Sequence, residues 1–148
     1  MSEGDAFQIP LGIDPVAAFN LAISPDYRTI LDSLPAAIYT TDADGTLTYF
    51  NRAAAEIAGR EPRLGIDKWC VSWKLYRPDG TPLPIDACPM AIAIREQRPV
   101  RGADIIIERP DGQRVPALPF PTPIHDAAGR FAGAINLLVD ISRLKSTE

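Results

Sequence analysis

The sequence predicts an α+β fold in which a five-stranded antiparallel sheet carries short helices on one face, with a flanking helical segment at the amino end. Two extended segments joined by a tight turn precede a central helical region, and three further extended segments with similar turns follow it. Consecutive antiparallel strands on both sides of a helical insert are typical of this class. Fifteen prolines, concentrated between Pro78 and Pro123, favour short, interrupted elements over long helices.

Length and composition narrow the classes of protein. A chain of 148 residues, 46 % of them hydrophobic and 23 % charged, has the size and apolar content of one domain. The net charge is -4 and the basic residues are scattered, which argues against nucleic acid as a direct partner. No apolar run approaches the ~20 residues of a membrane-spanning helix, and the amino end lacks the layout of a signal peptide. We therefore expect a cytoplasmic protein with no membrane partner.

Residues 1–26 are expected to form a tail and a flanking helix. Asp14 can cap a helix whose first position is Pro15, and a second short helix that begins at Ser24 must end at Pro35. An apolar stripe on the first helix either covers the open face of the sheet or packs against the same stripe of a second copy, and we expect a homodimer through this helix. The stripe consists of Val16, Phe19 and Ile23.

A hairpin and a short helix follow. Residues alternate with a period of two from Ala36, turn at Asp44-Gly45 and continue in extended form to Phe50. Asn51 is a favourable N-cap and Gly59 a favourable stop, so a helix of under three turns follows the hairpin directly.

The second half of the chain is expected to be a loop, a short helix and three strands. Residues 60–87 are expected to form a loop with one helical turn. Pro89 opens a helix that ends before Pro99. Asp-Gly and similar turns then separate three extended segments. The predicted segments are Val100–Arg109, Gln113–Ile124 and Phe131–Ile141.

Motifs near both ends of this region resemble those of one family. Leu34–Tyr39, Thr41–Gly45 and Tyr49–Ala54 resemble the opening of a PAS domain, in which two strands lead into a short capped helix. Three closing motifs resemble its end, where the last strand meets a signalling helix: Asp126-Ala127-Ala128-Gly129, Gly133-Ala134 and the triplet Asp140-Ile141-Ser142. The resemblance covers residues 27–142, which we interpret as a PAS domain. Residues 143–148 are then the start of a C-terminal signalling linker.

The resemblance implies a function. PAS domains are sensory or dimerising modules that hold a small ligand or cofactor between the sheet and the short helices, or hold nothing. We therefore expect a sensor that passes its signal through the flanking helices to a partner or an output domain such as a histidine kinase. The alternative is a ligand-free scaffold for dimerisation or protein interaction. Asp140, Ile141 and Ser142 would transmit the signal.

We do not expect the chain itself to be an enzyme. Kinase activity would lie in a domain or partner absent from this chain. Cys88 and His125 are residue types that occur in nucleophilic catalysis, but no nucleophile elbow or oxyanion motif accompanies them. Cys70 and Cys88 have no companion cysteines, so neither a metal site nor a disulfide framework is expected.

A ligand pocket would lie under the last strand. Asn136 shares one face of that strand with apolar residues, so its amide needs partners inside the core. Bonding within the protein or to solvent is the simpler interpretation, and a ligand is the alternative. The residues expected around a ligand are Tyr39, Trp73, Met90, Ile94, Asn136 and Leu138.

The sequence leaves the cofactor unknown. Flavin-binding photosensory PAS domains carry a reactive cysteine after the first short helix and a glutamine on the last strand. This chain has no cysteine in residues 60–64 and has Leu138 at the strand position, which argues against flavin. Haem is supported only by Cys88-Pro89, which resembles the cysteine-proline pair of some haem-regulated proteins. A cysteine at the start of a helix is more simply a small packed residue.

Overall fold

A computed structural model describes residues 35–146, together with Thr29 and Asp32. The predicted amino-terminal stripe of Val16, Phe19 and Ile23 lies outside the described residues. The homodimer through this helix therefore stays a prediction.

The described chain forms eight strands and three short α-helices around one core. The elements are β1 (Ala37–Asp42), β2 (Leu47–Phe50), α1 (Arg52–Ala58), β3 (Lys74–Tyr76), β4 (Pro82–Leu83), a 3-10 turn (Ile85–Ala87), α2 (Pro89–Glu96), β5 (Ile105–Glu108), β6 (Arg114–Pro119), β7 (Thr122–His125), β8 (Phe131–Asp140) and α3 (Ser142–Ser146). The strands pair antiparallel in the order β2-β1-β8-β6-β5-β3-β4, and β7 also pairs with β8. None of the described helices is long and apolar enough to cross a membrane.

The predicted α+β class is confirmed, but the described sheet has more than five strands. Two of the additional strands, β3 and β4, lie in the segment 60–87 that was expected to be a loop. The predicted strand Gln113–Ile124 is divided into β6 and β7 at Phe120-Pro121. At this break the Phe120 amide is shared between the Asn136 side chain and the Leu137 carbonyl, and Pro121 has no amide hydrogen to donate.

Capping residues fix the ends of α1 and α2. Asn51 Oδ1 accepts a hydrogen bond from the Ala54 amide at 3.0 Å, and Gly59 ends α1 with φ +67°. Pro89 occupies the first turn of α2, whose N-cap is Cys88. These starts and stops confirm the predicted helices.

β8 lies at the centre of the sheet because it pairs with β1 on one edge and with β6 and β7 on the other. Its residues alternate between the faces, so Ala134, Asn136 and Leu138 are buried toward the helices. The opposite face of the sheet is largely apolar and half-buried. Its residues include Ile38, Ile106, Pro116, Leu118, Ile135 and Leu137.

Candidate functional site

Two buried polar side chains meet across neighbouring strands. Tyr39 on β1 is in register with Asn136 on β8, and their exposed fractions are 0 % and 2 %. Asn136 Nδ2 donates to Tyr39 Oη at 3.1 Å, and Asn136 Oδ1 accepts from the Phe120 amide at 3.0 Å. The Tyr39 hydroxyl in turn donates to the Trp69 carbonyl at 2.9 Å. The protein thus satisfies the buried amide, which is the simpler of the two expected outcomes.

Two thiols border this polar pair. Cys70 and Cys88 belong to the buried core, with exposed fractions of 3 % and 1 %, and lie close enough for each to shift the other's pKa. The Cys70 thiol also donates to Ser72 Oγ at 3.3 Å. Cys88 Sγ accepts from the Ala91 amide at 3.5 Å, as the N-cap of α2. The cysteine side chains therefore lie where the segment between α1 and β3 approaches the start of α2.

The contacts change the ionisation of the thiols. The hydrogen bond with Cys88, followed by those with Ser72, lowers the pKa of Cys70 to about 6, against the opposing effect of burial. The hydrogen bond with Cys70, followed by burial, raises the pKa of Cys88. Cys70 is thus the thiol that ionises first.

Tyr39 stays protonated in this environment. Burial, followed by the proximity of Cys70 and Cys88, raises the pKa of its hydroxyl well above the usual range. A neutral hydroxyl donates to one partner while it accepts from another. Tyr39 does both, which connects the loop at Trp69 to β8.

Five of the six predicted ligand residues come together, and one does not. Tyr39, Met90, Ile94, Asn136 and Leu138 are buried under β1 and β8. Trp73 lies just before β3 and is 44 % exposed, with the Lys74 ammonium 4.4 Å from its ring centroid.

The aromatic ring that packs against the core from this segment is Trp69. Its six-membered ring lies over Gly45, where an added Cβ would be 2.3 Å from the ring. Trp69, Cys70 and Ser72 were not among the predicted site residues, although the tryptophans of this loop were expected to fill apolar space and Cys70 was considered for metal and disulfide frameworks. The sequence contains one signal for this polar cluster. Cys70 and Ser72 can both form hydrogen bonds, and they lie two positions apart in the expected loop.

The interior is filled by its own side chains. Tyr39 and Met90 have almost no accessible surface, so neither solvent nor a water-sized void touches them. Iron bound at Cys88 would need open space beside its sulfur, and that atom instead contacts Cys70 and the Ala91 amide. The described residues around Cys88 therefore do not fit a haem.

Open cavities lie elsewhere on the described surface. One of about 480 Å³ lies at the start of α1, beside Asp32 and Arg60. Another of about 220 Å³ lies at the end of β8 and reaches Leu138 and Asp140. Leu138 is the one predicted ligand residue that lines either of them.

Ion pairs stabilise the segment between α1 and β3, which carries Cys70. Asp67 forms ion pairs with Arg60 and Arg63, each with an N–O distance of 2.8 Å. Arg60 Nη1 also donates to the Val71 carbonyl at 2.8 Å. Burial acts to raise the pKa of Asp67, but the hydrogen bonds from Arg63 and Arg60 outweigh it and lower that pKa. Asp67 thus stays ionised and holds the segment against the core.

The far end of β8 is joined directly to the exit helix. Asp140 Oδ1 accepts from the Ser142 amide at 2.8 Å and from Ser142 Oγ at 2.6 Å. The Ile141 amide donates to the Pro116 carbonyl on β6 at 3.0 Å. These contacts fix the direction in which α3 leaves the sheet. The predicted transmission residues therefore lie at the junction of strand and helix.

The antiparallel sheet, its short helices on one face and the exit helix at the end of β8 define a small α+β module. A family model described as PAS fold matches residues 31–146. The chain belongs to the PAS family. PAS domains are sensory and signalling modules, and they often dimerise or bind partners.

Solved structures share this fold at low sequence identity. The PAS domain of the fruit-fly ELK potassium channel is 15 % identical, with a TM-score of 0.61 over 79 % of this chain and 95 % of that one. The PAS domain of nitrogen regulation protein NR(II) from Vibrio parahaemolyticus is 15 % identical, with a TM-score of 0.54 over 80 % of this chain and 100 % of that one.

The light-state dimer of the fungal blue-light photoreceptor Vivid is 18 % identical, with a TM-score of 0.54 over 89 % of this chain and 97 % of that one. A search of curated proteins found no significant match. At these identities the likeness concerns the fold alone.

Proposed function

We propose that this PAS domain is a sensor that responds to a small ligand or cofactor under β1 and β8. In this proposal it catalyses no reaction and passes the response through its flanking helices to a partner or an output domain such as a histidine kinase. One observation carries the proposal. Asn136 is bonded inside the core, and Asp140, four residues later on the same strand, accepts hydrogen bonds from the first residue of the exit helix.

The proposed signal path is short because β8 is held on both edges. Six residue pairs join it to β1, so a change at Tyr39 acts on β8 directly across the sheet. The other edge of β8 pairs with β6, whose Pro116 carbonyl receives the Ile141 amide. A small shift of β8 therefore changes the position of α3. A ligand drives such a shift by as much as its affinity differs between the two arrangements.

A ligand at this site would have to displace side chains. Met90 and Ile94 on α2 are buried against the sheet, and the segment 60–73 covers the same region. We expect α2 and this segment to move when a ligand enters, because both are short or irregular elements outside the sheet. The pairing of β8 with β1 would stay intact.

A ligand-free scaffold is the second candidate, and the filled interior favours it. In this alternative the domain serves dimerisation or protein interaction and needs no cavity. A homodimer through the stripe of Val16, Phe19 and Ile23 belongs to both candidates. The half-buried apolar face of the sheet supports such a contact, since apolar surface of this kind is stabilised by being covered.

Native mass spectrometry of freshly purified protein is expected to show a retained small molecule that denaturation releases. Ile94→Phe should abolish the added mass, because it enlarges a buried side chain of α2 that faces the proposed site. Ile92→Phe is the matched control, since Ile92 is only half-buried on the same helix and should leave the added mass unchanged.

A bare chain, with no thermal stabilisation by a small-molecule panel, would contradict the ligand proposal and favour the scaffold. The same spectra report the oligomeric state. Phe19→Asp is expected to convert a dimer into monomers, and an unaltered mass would remove this helix from the interface.

A further inference from the structure

We propose that Cys70 and Cys88 form an oxidisable dithiol, which hydrogen peroxide converts into an intramolecular disulfide. The proposed modification site does not depend on the proposed ligand or on signal output. It uses two groups for which the sensor proposal has no role.

The geometry brings together two sulfurs that are eighteen positions apart in the sequence. Cys70 lies in the irregular segment before β3, and Cys88 caps α2. Both belong to one core cluster that excludes solvent, and they lie close enough for each to be the largest influence on the other's pKa. Two cysteines in side-chain contact are the reactants that an intramolecular disulfide requires.

A hydroxyl beside Cys70 favours the thiolate of that residue. Ser72 Oγ lies 3.3 Å from Cys70 Sγ and accepts from the thiol. When Cys70 loses its proton, the Ser72 hydroxyl can rotate to donate to the sulfur. A charge-assisted hydrogen bond of this kind stabilises the thiolate, which is the reactive form.

The reaction balances with peroxide as the only oxidant. The Cys70 thiolate attacks one peroxide oxygen, so that an S–O bond forms, the O–O bond breaks and hydroxide leaves and is protonated to water. Cys88, after losing its proton, attacks the sulfur of the resulting sulfenic acid. An S–S bond then forms, the S–O bond breaks and a second water leaves. The two sulfurs are together oxidised by two electrons, and one peroxide is reduced to two waters.

The segment that covers Cys70 offers a route for peroxide. It has little regular structure between α1 and β3, and Trp69, next to Cys70, has φ +72°, which is a strained value for a residue other than glycine. Its tie to the core depends on the ion pairs of Asp67 with Arg60 and Arg63. Local opening of such a segment admits a molecule close to water in size without global unfolding.

The test treats the full chain with hydrogen peroxide, labels remaining thiols after denaturation and measures the intact mass. The wild type is expected to lose both free thiols and the mass of two hydrogen atoms. No disulfide should join two chains, and a dithiol reductant should restore both thiols. Peptide mapping of the wild type should place the bond between Cys70 and Cys88, which requires no variant to fold.

Variants separate the steps. Cys88→Ser is expected to stop at a sulfenic acid on Cys70 that a carbon nucleophile traps, because no resolving thiol remains. Cys70→Ser should leave Cys88 largely unreacted. Asp67→Asn should raise the oxidation rate several-fold by loosening the covering segment, whereas Asp79→Asn, in the distant turn before β4, should leave the rate unchanged.

The pH profile gives an independent readout. The pKa of Cys70, about 6, predicts that the rate is half-maximal near that pH and levels off above it, while an ordinary thiol keeps gaining rate up to about pH 9. The proposal is overturned if both thiols survive peroxide in the folded chain but react in denaturant. It is equally overturned if the disulfide joins two chains, or if the wild type stops at the product of Cys88→Ser.

Discussion

Replacing Asn51 by Ala is expected to lower the free energy of unfolding by about 3 kcal/mol, because it removes a helix cap and buried hydrogen bonds together. Asn51 is 0 % exposed. Its Oδ1 accepts from the amides of Ile38 at 2.9 Å and Ala54 at 3.0 Å, and its Nδ2 donates to the Ala36 carbonyl at 2.8 Å. One side chain thus joins β1 to the start of α1.

Urea unfolding followed by circular dichroism measures this loss. Arg52→Ala is the matched control, since Arg52 is the exposed neighbour at the first position of α1 and its truncation leaves the contacts of Asn51 in place. We expect its loss of stability to be clearly smaller than that of Asn51→Ala. Equal unfolding midpoints for wild type and Asn51→Ala would show that this junction contributes nothing to the fold.

Tyr39→Phe is expected to lower the free energy of unfolding by about 2 kcal/mol, because it leaves buried polar groups without a partner, and Asn136→Leu by about 1 kcal/mol, because it removes hydrogen bonds but leaves no group unpaired. Tyr39→Phe removes the donor to the Trp69 carbonyl and the acceptor for Asn136. Asn136→Leu removes the second acceptor of the Phe120 amide, which keeps its bond to the Leu137 carbonyl. The double variant should lose clearly less than the sum of the two.

The pH dependence of stability distinguishes Tyr39 from a merely packed aromatic ring. Its pKa is raised in the folded state, so the folded hydroxyl keeps its proton at a pH where the unfolded one, with a pKa of about 10, has lost it. This contribution is present below pH 10 and is lost as the pH rises further. Tyr39→Phe should lack that part of the alkaline loss. Additive losses in the cycle would contradict the hydrogen-bonded pair, and an alkaline profile unchanged by Tyr39→Phe would contradict the burial of the hydroxyl.

The features that could be predicted from the sequence depend on neighbouring residues. Asn51, Gly59 and Pro89 set helix ends through contacts within a few positions, and all three do so in the structure. The inward direction of Asn136 follows from the period of the strand. The order of these capping and strand motifs along the sequence is also what resembles a PAS domain.

The features that could not be predicted depend on contacts between distant segments. β3 and β4 span three and two residues, too few for an alternating pattern, and form because β3 pairs with β5. The meeting of Cys70 with Cys88 depends on how an irregular segment folds against α2. The same segment decides that Trp69 packs inward while Trp73 is exposed, although both were plausible core residues by type.

In the proposed sensor, a change at Tyr39 reaches the exit helix α3 along β8. Backbone amide chemical shifts of wild type and Tyr39→Phe test it directly, with Thr48→Val as a control that removes the 2.7 Å hydroxyl contact between Thr48 and Thr40. We expect Tyr39→Phe to move the amide resonances along β8 and on to Ser142, and the control to leave Ser142 unchanged. Shifts confined to β1 and the Trp69 segment, with Ser142 unmoved, would contradict the account.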